Sequence, residues 1–499
     1  MMVDVFAKQD PRLVAAATRV LHAFPASRVL AVGGCVRDML IGRVSHDLDL
    51  EVHGVSFEEL EHVLREVFPG CVNDVGKAFH VLKVHLDEGL ELDVAVPRRE
   101  SLYGAHRRDF SVESPASISL EEALQRRDFT INAMAVDIAT GELFDPFGGA
   151  HDLEQRVLRA VDENRFQDDE LRVYRAVQFA ARFGLTVESQ TFDLMRDMVA
   201  RGDLEKLPPE RVTGELKKLF LQSPRPSIGL EFMRELGIIE RFYPELHALI
   251  DTPQEPEWHP EGDVWIHTNM VIDEAAKLAS AHADTLTEDE RLQLIIGAMC
   301  HDFGKPSTTH RALKDGVMRW RSLGHEEAGV EPTQQFLSRL TYGADVELAA
   351  VAIARDHLKP HALYNIYQAG GLTDEQYANA VRKLIRKIHP LPWRVFLYAS
   401  EADSRGRGVP GAQTNPFLPG LLFEKTVEAH HFDQEPLQPL ITGQDVLAHG
   451  VVPGPEVGAY IQAIEYLRDE GALVNREQAL ERLAHLIASH TLPNADRTH

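Results

Sequence analysis

Apolar residues in positions 11–24 recur at three- and four-residue intervals, which predicts an amphipathic helix. Beyond it the pattern changes to short alternating runs, and strands are expected over Val29–Val32, Leu48–Val52, His80–Leu86, Leu90–Val96 and Ile131–Asp137. Strand side chains alternate between faces. Leu48 and Leu50 therefore belong to a core and Asp47 and Asp49 to the opposite face, while in Leu90–Val96 the core set is Leu92, Val94 and Val96, leaving Glu91 and Asp93 outside. From about residue 140 onward helical periodicity takes over. Asp169–Phe183 is the clearest helix, with Leu171, Tyr174, Val177 and Phe179 on its packed side, followed by Glu210–Leu221, Asn269–Ser280, Asp289–Cys300, Asp345–Arg355 and Glu375–Arg386. Proline-containing polar stretches at Asp251–Asp263 and Ser404–Gly420 mark loops or boundaries. Leu492–His499 carries no periodicity, and no repeat of fixed period occurs. The expected fold class is α+β, a mixed-sheet head followed by all-helical regions.

Composition narrows the setting. With 499 residues and 44% hydrophobic content, the chain has material for three or four domains. Three cysteines, Cys35, Cys71 and Cys300, are odd in number and lack metal-site spacing, which points to a reducing compartment without a disulfide framework. No apolar run approaches the ~18 residues of a membrane span. Asp4, Lys8, Asp10 and Arg12 interrupt any apolar leader, so a cytoplasmic location and no membrane partner are expected. A net charge of −25 opposes binding to a polyanion, so any nucleic-acid contact must use local basic clusters such as Arg98–Arg99, Arg107–Arg108, Arg126–Arg127, Lys217–Lys218 and Arg382–Lys387.

The candidate chemistry begins where the first strand ends. Gly33 and Gly34 form a turn into a helix, where backbone N–H groups approach phosphates, and Arg37 is placed to hold phosphate oxygens. Asp47 and Asp49, on one strand face, can share a pair of Mg²⁺ ions, with Asp93 as the third carboxylate. One ion would acidify an attacking 3′-hydroxyl and the other would bind the triphosphate and the leaving pyrophosphate. Arg126, Arg127 and Asp128 precede an apolar run, with Arg placed for phosphate or ribose and Asp128 for a ribose hydroxyl or for fixing the Arg. Asp169, Arg172 and Arg175 recur at i, i+3 and i+6 and are expected on one helical face. An Asp only accepts and an Arg only donates, a pair that suits the amino group and ring nitrogen of cytosine and adenine and rejects uracil and guanine. A plain helix salt bridge is the alternative for the same spacing. Farther along, His267, the pair His301–Asp302 and Asp403 come from separate helical segments, and imidazoles and carboxylates converging in this way make a divalent-metal site; His325 and His357 can line the same pocket.

Together, Gly33-Gly34-x-x-Arg37-Asp38, Asp47-x-Asp49, Arg126–Ala133 and Asp169-x-x-Arg172 resemble the bacterial-type (class II) tRNA nucleotidyltransferases, the CCA-adding enzymes and their poly(A) polymerase relatives, over residues 28 to about 240. The resemblance implies Mg²⁺ on Asp47 and Asp49, and selection of CTP and ATP by Asp169 and Arg172. It also implies nucleotide contacts from Gly33, Gly34, Arg37, Arg126, Asp128 and Arg175, and a tRNA 3′ end as the acceptor. Where such enzymes usually carry Glu-Asp, this chain has Asp168-Asp169, which keeps the second carboxylate. Residues 98–120, with Tyr103, Arg107, Arg108 and Asp109, are long enough for the flexible loop the family implies. That loop favours full CCA addition, or addition of the terminal A, over CC addition.

The His and Asp pattern over residues 256–405 is similar to HD-type metal-dependent phosphohydrolase domains, which implies His267, His301, Asp302 and Asp403 as ligands of an unidentified divalent metal and a phosphatase or 2′,3′-cyclic phosphodiesterase activity. The expected organisation is a catalytic head (1–155), a helical neck and body (156–255), a helical HD domain (256–405) and a helical tail (406–499). Addition of A alone or of CC alone, poly(A) synthesis, a non-catalytic tRNA-binding protein and an HD scaffold that only grips tRNA remain as alternatives.

Overall fold

The computed structural model describes residues 9–44, 47–73, 80–87, 90–97, 99–102, 110–113, 118–432, 439–469, 472–473 and 475–489. The chain divides into two units, Met1–Leu219 with Ile228–Ile238, and Phe220–Ser227 with Ile239–His499.

The first unit is built on a seven-stranded sheet. In chain order its elements begin with α1 (Pro11–Ala23), β1 (Arg28–Val32), α2 (Gly34–Leu40), β2 (Asp47–His53) and α3 (Phe57–Val67), followed by β3 (Val72–Asn73), β4 (Val81–Asp87) and β5 (Leu90–Ala95). A two-stranded ribbon, β6 (Arg99–Leu102) and β7 (Phe110–Glu113), precedes β8 (Ala135–Asp137) and β9 (Leu143–Phe144). The strand order is β3-β4-β5-β2-β1-β8-β9. Only the β2–β5 pair is parallel, the other neighbours being antiparallel.

Asp10 starts α1 by accepting from Arg12 N, and Ser56 starts α3 by accepting from Glu59 N, each satisfying one otherwise unpaired backbone donor. Leu13, Ala17 and Val20 of α1 and Leu60 and Leu64 of α3 bury one sheet face formed by Leu48, Leu50, Val52, Leu82, Leu92 and Val94. This burial fixes the register. A slip of one residue in β2 would exchange Leu48 and Leu50 for Asp47 and Asp49 in the core, at about 2 kcal/mol per exposed leucine before any charge is desolvated.

Two elements differ from expectation. Within Ile131–Asp137 only Ala135–Asp137 is a strand, because Thr130–Asn132 forms a 3₁₀ turn. Asn132 Nδ2 there donates to Asp128 Oδ1 at 3.0 Å, which folds the chain back on itself. The long neck helix begins at Leu171 rather than Asp169, and Asp169 Oδ1 accepts from Leu171 N at 3.1 Å. Asp169 is thus a residue of the turn before the helix, while Arg172 and Arg175 lie within it. Of the expected loop, β6 and β7 are described as backbone; Arg98, Tyr103, Arg107, Arg108 and Asp109 lie outside the described residues.

The second unit is helical. Val264–Ala281 is started by Asp263, whose Oδ1 accepts from Ile266 N, and Glu288–Cys300 by a reciprocal Thr287–Glu290 capping box. These helices, with Ala344–Asp356 and Trp393–Arg405, are the four that carry the site described below. A hairpin, His310–Lys314 paired with Val317–Arg321, projects from this bundle, and a separate small core of Ile441, Val446, Ile464 and Leu483 holds the C-terminal helices. Cys35, Cys71 and Cys300 are all free thiols. No helix among the described residues is long and apolar enough to cross a membrane.

Candidate active site and candidate metal centre

In the first unit, β2 and β5 run parallel with Asp49 directly opposite Asp93 and Asp47 opposite Glu91. The leucines between them are fully buried on the other face, so Asp49 and Asp93 border a cleft of about 410 Å³. Asp47 enters this description as a backbone position of β2, since its side chain lies outside the described residues. Five arginines line the same cleft: Arg126, Arg127, Arg172, Arg175 and Arg211.

Each cation is held by a specific partner. Glu51, one pleat beyond Asp49 and only 2% exposed, lies 3.5 Å from both Arg126 Nη2 and Arg127 Nη2 and 3.5 Å from His53 Nε2. Burial pushes its pKa up, but His53, Arg127 and Arg126 prevail and hold the carboxyl at about 2. Gly33 has φ +77°, and a Cβ there would sit 2.3 Å from Arg127 Nη1, so the first glycine of the turn leaves room for that guanidinium.

Asp128 is buried and saturated, accepting from Phe129 N (2.8 Å), Asn132 Nδ2 (3.0 Å) and Arg175 Nε (2.7 Å). Of the two roles considered for it, the geometry matches the one that fixes an Arg. Asp169 Oδ2 accepts from Arg211 Nη2 at 2.9 Å, while Arg172 donates to the carbonyls of Arg165 (2.6 Å) and Arg126 (2.7 Å). Arg211 thus holds Asp169, and two backbone carbonyls hold Arg172.

Arg37 stands apart. It is 5% exposed, donates through Nη1 to Asn132 Oδ1 at 2.7 Å and through Nε to Asp38 Oδ1 at 3.0 Å, and its guanidinium lies 4.3 Å from the Phe183 ring centroid. Sequence reasoning missed Glu51, Arg211 and Lys83, whose Nζ lies 3.1 Å from Asp93 Oδ1 and 3.0 Å from Glu91 Oε2. Glu51 was legible, because it continues the Asp47, Asp49 alternation. Lys83 and Arg211 had no local signal. The carboxylate oxygens of Asp49 and Asp93, at one register on one face, are the donor type that hard divalent cations take.

In the second unit, His267 (on Val264–Ala281), His301 and Asp302 (at the end of Glu288–Cys300) and Asp403 (on Trp393–Arg405) converge, all at most 3% exposed. His267 Nε2 lies 3.1 Å from Asp403 Oδ1 and 3.7 Å from Asp302 Oδ2, and His301 Nε2 lies 3.0 Å from Asp302 Oδ2. His325 Nε2 adds a 3.4 Å approach to Asp302 Oδ1.

The outer nitrogens explain this convergence. Nδ1 of His301, His325 and His357 faces the carbonyls of Ala298 (2.7 Å), Ser322 (2.7 Å) and Ala354 (3.1 Å), and Nδ1 of His267 faces Glu261 Oε1 at 3.0 Å. A carbonyl only accepts, so Nδ1 carries a proton and Nε2 is the atom each ring turns inward. His301 Nε2, His325 Nε2, Asp302 Oδ1 and Asp403 Oδ2 are buried without a hydrogen-bond partner among the described residues. Orphaned buried donors and acceptors of this kind are costly unless a ligand satisfies them. Two overlapping groups, His267–His301–Asp302 and Asp302–His325–His357, have the spacing to hold a cation, and the mixed nitrogen and oxygen donor set fits a divalent metal.

Burial opposes charge on both carboxylates, yet His301 and Lys305 hold Asp302 well below the usual range, and His267 and Arg407 do the same for Asp403. Burial, aided by His301, pushes the His357 pKa down to about 3, leaving a neutral imidazole. Gly304 is required by a close approach, since a Cβ there would lie 2.0 Å from the His325 carbonyl oxygen.

These two sites define the class: a nucleotidyltransferase-type head joined in one chain to an HD-type metal centre. Residues 29–159 match the poly A polymerase head domain, 184–250 a family described as a probable RNA and SrmB-binding site of polymerase A, and 264–388 the HD domain. The multifunctional CCA protein of Stenotrophomonas maltophilia is 39% identical over 385 residues, covering 76% of this chain and 86% of that protein. Its counterpart from Xanthomonas campestris is 39% identical over 389 residues, 76% and 85% of the two chains. The chain belongs to the multifunctional CCA protein family of tRNA nucleotidyltransferases. Its fold is similar to the Bacillus stearothermophilus CCA-adding enzyme in complex with CTP (TM-score 0.62, 23% identity, covering 96% and 99%). It is also similar to the Thermotoga maritima CCA-adding enzyme complexed with tRNA (TM-score 0.55, 20% identity, 98% and 99%).

Proposed function

We propose that this protein builds and repairs the 3′-terminal CCA of tRNA in the cytoplasm, using CTP and ATP without a nucleic-acid template, and that its HD centre hydrolyses phosphate esters. The observation that carries the first part is the cleft in which the Asp49–Asp93 pair faces five arginines, within a chain of this family. In the transfer step the tRNA 3′-hydroxyl oxygen bonds to the α-phosphorus of CTP or ATP. The bond to the β-phosphate bridging oxygen breaks, pyrophosphate departs, and the hydroxyl proton passes to solvent.

Mg²⁺, held by Asp47 and Asp49 with Asp93 beside them, would supply activation of the hydroxyl and charge for the triphosphate. Arg126, Arg127 and Arg175 are suited to the phosphates and ribose, Gly33 and Gly34 to close backbone approach, and Arg37 to support of that turn. Asp128 acts through Arg175. Asp169 accepts the exocyclic amino group of cytosine or adenine while Arg172 donates to the ring nitrogen, and Arg211 and the carbonyls of Arg165 and Arg126 set their positions. Uracil and guanine present a carbonyl and a ring N–H at those places, leaving both protein groups mismatched.

At the HD centre, His267, His301, Asp302 and Asp403 would hold a divalent metal that supplies an activated water. Lys305, 2.7 Å from Asp302 Oδ2, and Arg407, 3.8 Å from Asp403 Oδ2, set positive charge where a phosphate would sit. The water oxygen bonds to phosphorus as the ester bond breaks, and the leaving alkoxide takes a proton.

The test uses tRNA ending at the discriminator base, after one C and after two Cs, each with labelled CTP or ATP. Incorporation of two CMP and one AMP on the shortest substrate is expected. AMP addition only to the CC-ended tRNA would replace this reading with A-addition alone.

A further inference from the structure

Phe183, the last residue of the Leu171–Phe183 helix, is ringed by three guanidinium groups: those of Arg37, Arg43 and Arg182 lie 4.3, 5.0 and 5.1 Å from its ring centroid. An aromatic face attracts a cation, but it does not cancel the repulsion among three gathered on one ring. Asp38 is paired with Arg37 at 2.9 Å, and Glu215, the other carboxylate that acts on Arg182, is engaged by Lys218 at 2.8 Å and Arg175 at 3.9 Å. The excess of positive charge shows on Arg182, whose pKa is held down to about 10 by burial, Arg37 and Arg43 against the pull of both carboxylates. Arg182 is still a cation at neutral pH, and part of its fork is uncommitted: Nη1 donates to Gln178 Oε1 at 2.8 Å, while Nε is buried without a partner among the described residues. Arg43 is exposed, and its N–H donates to the Asp38 carbonyl at 2.9 Å, which fixes the backbone that carries it. In a chain of net charge −25, such a local excess is what an anion satisfies. Its place on the helix says which anion. Arg175, Phe179 and Arg182 recur at i, i+4 and i+7, the Arg175 and Arg182 guanidiniums lie 5.2 and 6.0 Å from the Phe179 centroid, and Arg175 lines the carboxylate cleft. Seven helical residues rise about 10 Å. A nucleotide in the cleft meets the arginines there, whereas Arg43 and Arg182 lie beyond it, where a strand whose 3′ end occupies the cleft carries its preceding phosphates.

We propose that Arg43 and Arg182 form a phosphodiester site for the acceptor strand of tRNA, gripping the backbone behind the 3′-terminal nucleotide that enters the cleft. Phe183 seats both guanidiniums, and Asp38 commits Arg37 elsewhere. The site reads charge rather than sequence, since the phosphate is the same behind every base. A grip on the backbone sets how far the 3′-hydroxyl reaches toward the Asp49–Asp93 pair without any base being read. This inference rests on the transfer reading above and deepens it by naming residues that hold its acceptor.

The test measures binding of tRNA lacking its CCA to the full-length protein, without nucleotide, from about 50 to 200 mM KCl. Arg43→Gln and Arg182→Gln should each weaken binding about three- to tenfold and flatten the slope of log K against log salt by about 0.7–0.9, the release of one counterion fewer. Arg43→Lys and Arg182→Lys keep the charge and should restore the slope. An acceptor-stem minihelix ending at the discriminator base should show the same loss, and KM for CTP at saturating tRNA should stay within about twofold of wild type. Unchanged affinity and slope, weaker binding with an unchanged slope, or a loss seen with whole tRNA and not with the minihelix overturns the site. A rise in KM for CTP with tRNA affinity intact also overturns it, by assigning the pair to the triphosphate. Because binding is read without catalysis, the two readings fail separately: an arginine-dependent slope in a protein that incorporates no CMP removes the transfer activity and keeps the RNA site.

Discussion

Replacing Glu51 with Gln keeps the shape of a buried side chain and removes the charge on which Arg126, Arg127 and His53 converge. The ordinary glutamate pKa is 4.5 and the folded value is about 2. At about 1.4 kcal/mol per unit, the ionised form contributes on the order of 3 kcal/mol to the head at neutral pH. The sign follows from a depressed pKa: the stabilisation is fully present above pH ~4.5 and is lost as pH falls through ~2. Without the Glu51 carboxylate the two guanidinium groups repel each other, so Glu51→Gln should also loosen the wall facing the Asp49–Asp93 pair and raise KM for CTP and ATP together. All four tryptophans, at 258, 265, 320 and 393, lie in the second unit. Urea unfolding followed by tryptophan fluorescence therefore reports that unit, while far-ultraviolet circular dichroism reports both. Glu51→Gln should shift the dichroism-only transition at pH 7 by roughly 2–3 kcal/mol, leave the fluorescence transition in place, and show a difference from wild type that shrinks below pH ~4.5. A difference of the same size at pH 7 and pH 2.5, or no difference at pH 7, would refute the electrostatic reasoning.

Other outcomes follow from the same geometry. Arg211→Met removes the guanidinium partner of Asp169 and should raise UMP or GMP misincorporation about tenfold, by the loss of one charge-assisted hydrogen bond, with CTP turnover reduced less; competition between labelled nucleotides measures it. Gly33→Ala places a methyl group 2.3 Å from Arg127 Nη1 at positive φ and should cost about 1–2 kcal/mol while raising nucleotide KM, which steady-state kinetics and thermal unfolding will resolve. A divalent metal at about 100 times its Kd should add ~2.7 kcal/mol to the fluorescence-reported transition, and chelator or Asp302→Asn should abolish the gain while CMP incorporation in Mg²⁺ continues after Asp302→Asn.

The legible parts of the sequence were those set by local rules. Alternation of Leu48, Leu50, Leu92 and Val94 with acidic residues gave both the strands and the face on which carboxylates meet, because a one-residue error would bury charge. Helical periodicity gave the bodies of the helices beside His267 and His301, but not the Trp393–Arg405 helix that carries Asp403. What stayed hidden depended on local backbone competition or on chain segments brought together by the fold. The start of the Leu171 helix was set by the Asp169 side chain competing for a backbone N–H, against the apolar period. The pairing of Asp169 with Arg211 spans 42 residues, and that of Lys83 with Asp93 joins directly opposed positions of the neighbouring strands β4 and β5. The inward turn of His325 and His357 depends on carbonyls at the ends of their own segments, which no residue pattern encodes.

The central claim is that the carboxylate face of β2 and β5 performs nucleotidyl transfer. Single-turnover incorporation of labelled CMP onto tRNA lacking its CCA, by wild-type protein and by Asp49→Ala in Mg²⁺, tests it most directly. At least a thousandfold slower transfer by Asp49→Ala is expected, with nucleotide affinity changed by less than about tenfold, as for loss of a group that acts in the transition state. Transfer at an undiminished rate would place the chemistry elsewhere and contradict the account.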